Sequence, residues 1–387
     1  MCSSDLLDVI RIGLASTDLL YFAAGKLNLP GAMFTASHNP AKYNGIKLCL
    51  SGAKPIGKES GLLTIENFVR EGVPVSMRSM GKESAQDMLQ DYVDYLLTLV
   101  DLQSIRKLKI VIDAGNGMAG HTAPAVFKRI NAEVTEMFFE LDGTFPNHEA
   151  NPIDEENLAD LKQMVKKVRA DIGLAFDGDA DRCFLVDEKG NAVNPSLLTA
   201  LIAERELTKY PNSSIIYNLI SSRAVREVIE EHGGVAIRSR VGHSFIKALM
   251  AESGAVFGGE HSGHFYFADF WRADSGMLAA LHAIAALGAS NLKLSELLAP
   301  YSRYFSSGEI NSKVKDGAKI IESLKVSYQA EPGVTIDELD GLTVNGDTWW
   351  FNVRASNTEP LLRLNVEAKS ETQMAKLRDH LLALIRG

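Results

Sequence analysis

Short apolar strands that each run into a polar or glycine-rich turn and then a helix recur along this sequence, and few architectures accommodate them. Residues 108–113 (Leu-Lys-Ile-Val-Ile-Asp) lead into Gly115-Asn116-Gly117-Met118-Ala119-Gly120 and a helix from about Pro124. Residues 170–176 end directly on Asp177-Gly178-Asp179-Ala180-Asp181-Arg182. The pattern repeats at residues 214–218, with a helix through Glu231, and at residues 235–239, with a helix over 244–252. Strands apolar on both faces need cover on both, so these segments read as α/β units, with mixed or parallel sheets between helices. After Pro300 the pattern changes to strands near 309–314, 341–345, 348–354 and 361–367, closed by an amphipathic helix over 371–385, which reads as a separate α+β domain. Boundaries near residues 104, 194 and 305 divide the chain into 1–104, 105–194, 195–305 and 306–387.

Composition removes several classes of function. The 40 lysines and arginines fall short of the 49 aspartates and glutamates, a formal charge of −9 and the wrong sign for a nucleic-acid binder. Three scattered cysteines (Cys2, Cys49, Cys183) fit neither a disulfide framework nor a Cys-x-x-Cys metal site, which points to the cytosol. The longest apolar stretch, residues 277–289, carries His282 and falls short of the roughly 20 residues that span a bilayer, so no membrane role is expected. The N-terminus lacks the basic and apolar regions of a signal peptide.

Five polar loops carry the candidate chemistry. Asp177, Asp179 and Asp181 follow a hydrophobic strand, where α/β sheets collect ligands, and three carboxylates at alternate positions call for a compensating hard cation such as Mg²⁺. An EF-hand is the sharper competitor, since Glu188 stands twelfth from Asp177, but the sixth position holds Arg182 instead of glycine. Thr35-Ala36-Ser37-His38-Asn39-Pro40 offers a hydroxyl in a loop that can equally be a capping turn, and Lys47 behind it becomes a general base only where its proton affinity is depressed. Gly115 to Gly120 matches G-x-G-x-x-G after a strand, with Glu136 or Glu140 near the place of a ribose-binding acid, so a dinucleotide-dependent oxidoreductase is the rival class. Glu260 and Ser262, in Gly259-Glu260-His261-Ser262-Gly263-His264, suit sugar hydroxyls or a plain hairpin turn. Arg354, Ser356, Asn357 and Thr358 suit a phosphate dianion or a plain turn. His243, just before a helix start, is as readily a capping or packed residue as a catalytic one.

Taken together and in this order, the serine, carboxylate, Glu260 and Arg354 loops resemble those of the α-D-phosphohexomutases, specifically the bacterial phosphomannomutase and phosphoglucomutase group, from about Val9 onward. The resemblance implies four domains, three α/β and one α+β, in a heart shape with one loop from each meeting in a central cleft. It implies Ser37 as the phosphoserine and Asp177, Asp179 and Asp181 as Mg²⁺ ligands together with an oxygen on Ser37. Arg182 and His38 would hold the transferring group, with Lys47 and His243 at proton-transfer and orienting positions. Glu260 and Ser262 would read sugar hydroxyls, and Arg354, Ser356, Asn357 and Thr358 would grip the non-reacting phosphate. Phosphosugar substrates, a hexose 1,6-bisphosphate activator and a monomer or weak dimer in the cytoplasm follow from the same resemblance. The segment 259–276, with Phe270-Trp271-Arg272-Ala273-Asp274, looks most like phosphomannomutase, while glucose phosphates remain open as alternative substrates, and a Mg²⁺ phosphatase is a further alternative.

Two departures stand out. Ile220 stands where some members carry lysine. Residues 1–6 look like a cloning scar, and the short run before Ser37 leaves the first domain incomplete relative to the family pattern, with an expected unpaired sheet edge, lowered stability and little activity.

Overall fold

A computed structural model describes residues 7–72, 81–356 and 361–387. The metal-loop unit is a four-stranded sheet in the order Ala132–Met137, Leu108–Asp113, Ile172–Phe176, Cys183–Val186, parallel except for its last strand. Ile172–Phe176 is buried throughout, as its unbroken apolar run requires. The next unit orders Val235–Ser239, Ser214–Asn218, Phe257–Gly259, Phe265–Phe267 and Ala273–Asp274, parallel in its first three strands and antiparallel in the rest. The C-terminal sheet is antiparallel throughout, in the order Phe305–Lys313, Leu361–Ala368, Trp349–Ala355, Leu342–Asn345, Thr335–Asp337, with the helices Gly317–Gln329 and Glu371–Arg386 packed on it.

The N-terminal strands form two small sheets. Gly31–Phe34, Ile46–Leu50 and Lys54–Pro55 are antiparallel, while Val9–Arg11 pairs in parallel with Glu83–Ala85. Among the described residues Gly31–Phe34 has a strand partner on one side only, and Phe34 is 85% exposed.

One apolar cluster runs from Ala15 through Tyr301 and joins the first three units into a shared core. Every residue of the helix Gly276–Gly288 lies in it or is buried beside it, which explains an apolar stretch too short for a bilayer. No helix among the described residues is long and apolar enough to cross a membrane. A second cluster, Leu324 to Ile385, belongs to the C-terminal unit alone.

Polar contacts hold the remaining joints. Asp18 accepts from Tyr92 (2.7 Å) and Ser275 (2.6 Å), tying the first unit to the third. Lys247 pairs with Asp274 at 2.6 Å, both buried, and its Nζ lies 4.1 Å from the centroid of the Tyr21 ring. The C-terminal unit is held through Arg223, whose guanidinium donates to the carbonyls of Asp347 (2.8 Å), Gly346 (3.1 Å) and Trp349 (3.3 Å), and through Arg238 on Asp337.

Some local expectations shift. The helix expected from about Pro124 spans Ala119–Phe127, so the proline falls inside it, without an N–H for the carbonyl four residues back. The helix Gly317–Gln329 and the edge strand Thr335–Asp337 lie in a stretch where the sequence pattern marked no element.

Candidate functional site

The loop 177–182 leaves the C-terminal end of Ile172–Phe176 and turns back through Ala180 at φ 60°, a left-handed conformation. Its three carboxylates are essentially inaccessible to solvent, and one oxygen from each lies within 4.8 Å of the others. The strand-to-strand flanks exclude an EF-hand. Each carboxylate has a cation beside it. Arg182 Nε donates to Asp177 at 2.7 Å, and Lys47 Nζ lies 2.7 Å from Asp179 and also pairs with Asp181. Burial pushes Asp177 up to about 6, against Arg182 and with the help of Asp181 and Asp179. Asp179 Oδ1 is buried with no hydrogen-bond partner among the described residues. An oxygen-only set with an orphaned carboxylate oxygen fits a hard divalent cation.

Lys47 lies between two of these carboxylates. Burial alone would depress its proton affinity, but Asp181 and Asp179 outweigh burial and hold it well above the ordinary lysine value. In this arrangement Lys47 is the counter-cation of Asp179 and Asp181.

The serine loop meets the carboxylate loop directly. Ser37 sits at φ 55°, its N–H donating to Thr35 Oγ1 at 2.9 Å, with its Oγ 3.4 Å from Asp177 Oδ2 and 3.2 Å from His38 Nδ1. A Cβ on Gly178 would come within 2.4 Å of the Ser37 carbonyl oxygen, so only glycine permits this approach. Thr17 adds two clasps to Asp179, backbone N–H to backbone carbonyl at 2.9 Å and hydroxyl to carboxylate at 2.7 Å. Burial, reinforced by Arg182, brings His38 down to about 4, so its ring is neutral at pH 7.

The glycine-rich turn serves the same junction. A Cβ on Gly117 would lie 2.5 Å from the Gly178 oxygen and one on Gly120 2.2 Å from the Phe139 oxygen, while Met118 N–H donates to Gly178 at 2.9 Å. The space that a dinucleotide's pyrophosphate would need is filled by the chain's own backbone, which removes the oxidoreductase rival.

Glu260 and Ser262 lie on the hairpin between Phe257–Gly259 and Phe265–Phe267. Both Glu260 oxygens are engaged, by Gly242 N–H (3.1 Å) and Tyr266 Oη (2.7 Å), so it fixes the turn that opens the helix His243–Ser253. Ser262 Oγ lies 2.9 Å from His264 Nδ1, whose Nε2 is 3.5 Å from Asp181. Burial opposes protonation of His264, but Asp181 prevails and raises its pKa. His264 and Thr17 were missed as site residues in the sequence. A second histidine after Ser262 was the one available signal, and nothing in the sequence marks Thr17.

Arg354 is the penultimate residue of the strand Trp349–Ala355, and its Nη2 donates to Glu309 Oε2 at 2.7 Å. Ser356 N–H donates to the Leu361 carbonyl at 2.9 Å. Asn357 and Thr358 lie outside the described residues, and the His243 side chain is likewise not described. Ile220 is buried, 7% exposed, in the turn after Ser214–Asn218.

The chain matches four sequence profiles in succession: phosphoglucomutase/phosphomannomutase alpha/beta/alpha domain I over residues 3–73, domain II over 90–190, domain III over 194–304 and the C-terminal domain over 309–384. It is 40% identical to a phosphomannomutase of Vibrio cholerae over 94% of this chain and 80% of that one. Its identity to a phosphomannomutase of Escherichia coli is 39%, over 98% of this chain and 85% of that one. A crystal structure of a phosphoglucomutase/phosphomannomutase family protein from Burkholderia thailandensis superposes with a TM-score of 0.85 at 32% identity, covering 98% of this chain and 83% of that one. Four consecutive domain matches and near-full-length identity to these relatives place this chain in the phosphoglucomutase/phosphomannomutase family.

Proposed function

We propose that this chain is a phosphohexomutase that interconverts mannose 1-phosphate and mannose 6-phosphate by way of a phosphorylated Ser37. The observation that carries the reading is the convergence of Ser37 Oγ on the buried carboxylates, 3.4 Å from Asp177 across 140 residues of sequence. The names of the relatives support mannose, and glucose phosphates, which differ at the 2-hydroxyl alone, stay within the same chemistry. A cytoplasmic enzyme acting on free phosphosugars, monomeric or weakly dimeric, agrees with this reading.

Asp177, Asp179 and Asp181 would hold Mg²⁺ together with an oxygen on Ser37, and the ion supplies charge neutralisation for phosphoryl transfer. In the forward half-reaction the bond from phosphorus to Ser37 Oγ breaks and a bond to the substrate's 6-oxygen forms, giving a 1,6-bisphosphate. The proton lost by the sugar hydroxyl ends on Ser37 Oγ, and neutral His38 Nδ1, 3.2 Å away, is the group able to pass it. Arg182, fixed by Asp177 and with a buried Nη2 that has no partner among the described residues, has a donor left for the moving phosphoryl. The bisphosphate then reverses end for end and returns its other phosphate to Ser37, so added hexose 1,6-bisphosphate acts as activator. Arg354, Ser356, Asn357 and Thr358 would grip whichever phosphate is not reacting. Glu260 and Ser262 would read the sugar hydroxyls once Glu260 exchanges one of its present donors, with His243 at the edge of the same turn.

The test is conversion of mannose 1-phosphate to mannose 6-phosphate with Mg²⁺ and a trace of hexose 1,6-bisphosphate, comparing the chain with Ser37→Ala. Loss of turnover in the variant supports the serine relay, and unchanged turnover refutes it. Stoichiometric release of inorganic phosphate would instead identify a phosphatase.

A further inference from the structure

The phosphate-loop arginine does not stand alone. Three neighbouring strands, Phe305–Lys313, Leu361–Ala368 and Trp349–Ala355, carry Glu309, Arg363 and Arg354. Arg354 and Arg363 are directly opposite in register, an arrangement in which like charges repel. Glu309 bridges them, Oε2 accepting from Arg354 Nη2 at 2.7 Å and Oε1 from Arg363 Nη1 at 2.9 Å. Its strand is irregular just there: the register shifts between Ser306 and Glu309, and Gly308 takes φ 66°. A bulge of this kind re-aims a side chain at the cost of one ladder position.

The bridge does not engage every guanidinium donor. The Nε of Arg354 and that of Arg363 are each buried with no hydrogen-bond partner among the described residues. A guanidinium is a rigid fork, so fixing one nitrogen fixes the direction of the rest. Across the interface, His261 has its Nδ1 buried and unpartnered among the described residues, and the charges acting on its ring are those of Glu309 and Arg354. Glu309 and Arg354 are thus close enough to His261 of the sugar loop for their charges to act on its ring.

We propose that Glu309 is a positioning residue for phosphate recognition: it clamps Arg354 against Arg363 so that the remaining guanidinium donors are held ready for the non-reacting phosphate of the substrate. This rests on the reading of Arg354 as a phosphate ligand. Glu309 touches no substrate. It restricts a long side chain that would otherwise lose its rotamer freedom on each binding event, twice per catalytic cycle if the intermediate reverses.

The decisive variant is Glu309→Gln, which keeps shape and removes the charge that holds both arginines. We expect KM for mannose 1-phosphate to rise about tenfold with kcat at saturation within twofold, because the lost interaction is made equally in ground and transition states. Arg363→Met acts through the same carboxylate, so it raises KM as well, and the double variant is no worse than Glu309→Gln alone. Glu309→Asp restores part of the loss. A purely structural ion pair would lower Tm and leave KM unchanged, and that result overturns the proposal. So does a lower KM, the sign expected if Glu309 merely competes with phosphate for Arg354. Arg354→Met separates the two levels: unchanged KM in that variant refutes the phosphate-loop reading and the proposal with it, whereas a raised KM there with Glu309→Gln unchanged refutes the proposal alone.

Discussion

The carboxylate loop and the phosphate loop are mounted on different foundations. Asp177 to Arg182 leave a strand of a sheet whose core is continuous with those of the first and third units, and the loop is clasped by Thr17, Ser37 and Met118 from three neighbouring segments. Arg354 belongs to a unit with its own core, joined to the rest through hydrogen bonds to carbonyls and ion pairs such as Arg223 on the turn 346–349 and Arg238 on Asp337. Dense apolar packing has few alternative arrangements, whereas a polar joint between two independent cores can open at modest cost. In the function proposed above, the chemistry that needs sub-ångström placement sits on the first foundation, and the grip that would release and retake a substrate sits on the second.

That contrast can be broken at the carboxylate loop first. Asp179→Asn removes the carboxylate that Thr17 and Lys47 orient, and we expect turnover to fall about a thousandfold or more, with weakened Mn²⁺ binding in a calorimetric titration. Full activity would show that the three carboxylates are not a metal site. Lys247→Met probes the shared core itself. It strands a buried Asp274, so denaturant unfolding should show a loss of about 3–5 kcal/mol, and an unshifted midpoint would mean that the pair is not part of the foundation. Gly178→Ala forces the serine loop away from the carboxylate loop and should lower kcat about 10- to 100-fold while Tm moves little, since the clash is with the Ser37 carbonyl and not with the core. Arg223→Ala sharpens the comparison from the other side. Its loosened joint should raise KM a few-fold and leave the first three units' unfolding midpoint in place; a uniform drop of every transition would show one cooperative body instead of two.

The smallest expected effect is a pH slope. Burial raises Asp18 to about 6, against the hydrogen bonds from Ser16, Ser275 and Tyr92. The folded chain therefore holds a proton that the unfolded chain has already released between about pH 4 and pH 6. This group's contribution to stability grows as pH falls through that window and is lost as pH rises through it. Asp18→Asn should flatten the dependence of Tm on pH between 4 and 6, and an unchanged slope would place Asp18's proton elsewhere.

Much of the fold was legible before any coordinates. Residues 172–176 and 215–217 are apolar without interruption because both faces of their sheets are covered, and the strands after Pro300, closed by a helix, mark a separate unit whose sheet carries two helices. The helix Gly317–Gln329 was less visible, since only Leu324 and Tyr328 are buried along it and the apolar signal is correspondingly thin. At the site, chemistry was legible and partnership was not. Three alternate aspartates announce a cation, but nothing local to Lys47 tells that its ammonium lies between two of them, and nothing local to Glu260 tells that Gly242 and Tyr266 already take both of its oxygens. The G-x-G-x-x-G string misleads for the same reason: close backbone approach demands glycine whether the visitor is a pyrophosphate or the chain's own Gly178.

The sequence by itself determined most of the strands and helices from residue 108 onward and which loops carry hydroxyl, carboxylate and guanidinium groups, because periodicity and residue chemistry act over a few neighbouring positions. Only the tertiary structure decided which of these groups meet: Ser37 with Asp177, His264 with Asp181, Glu309 with Arg354 and Arg363. It thereby also set their charges, since proton affinity depends on burial and on charges contributed from distant parts of the chain. Lys47 carries both lessons, a candidate base in the sequence and a partly exposed counter-cation beside two carboxylates in the fold.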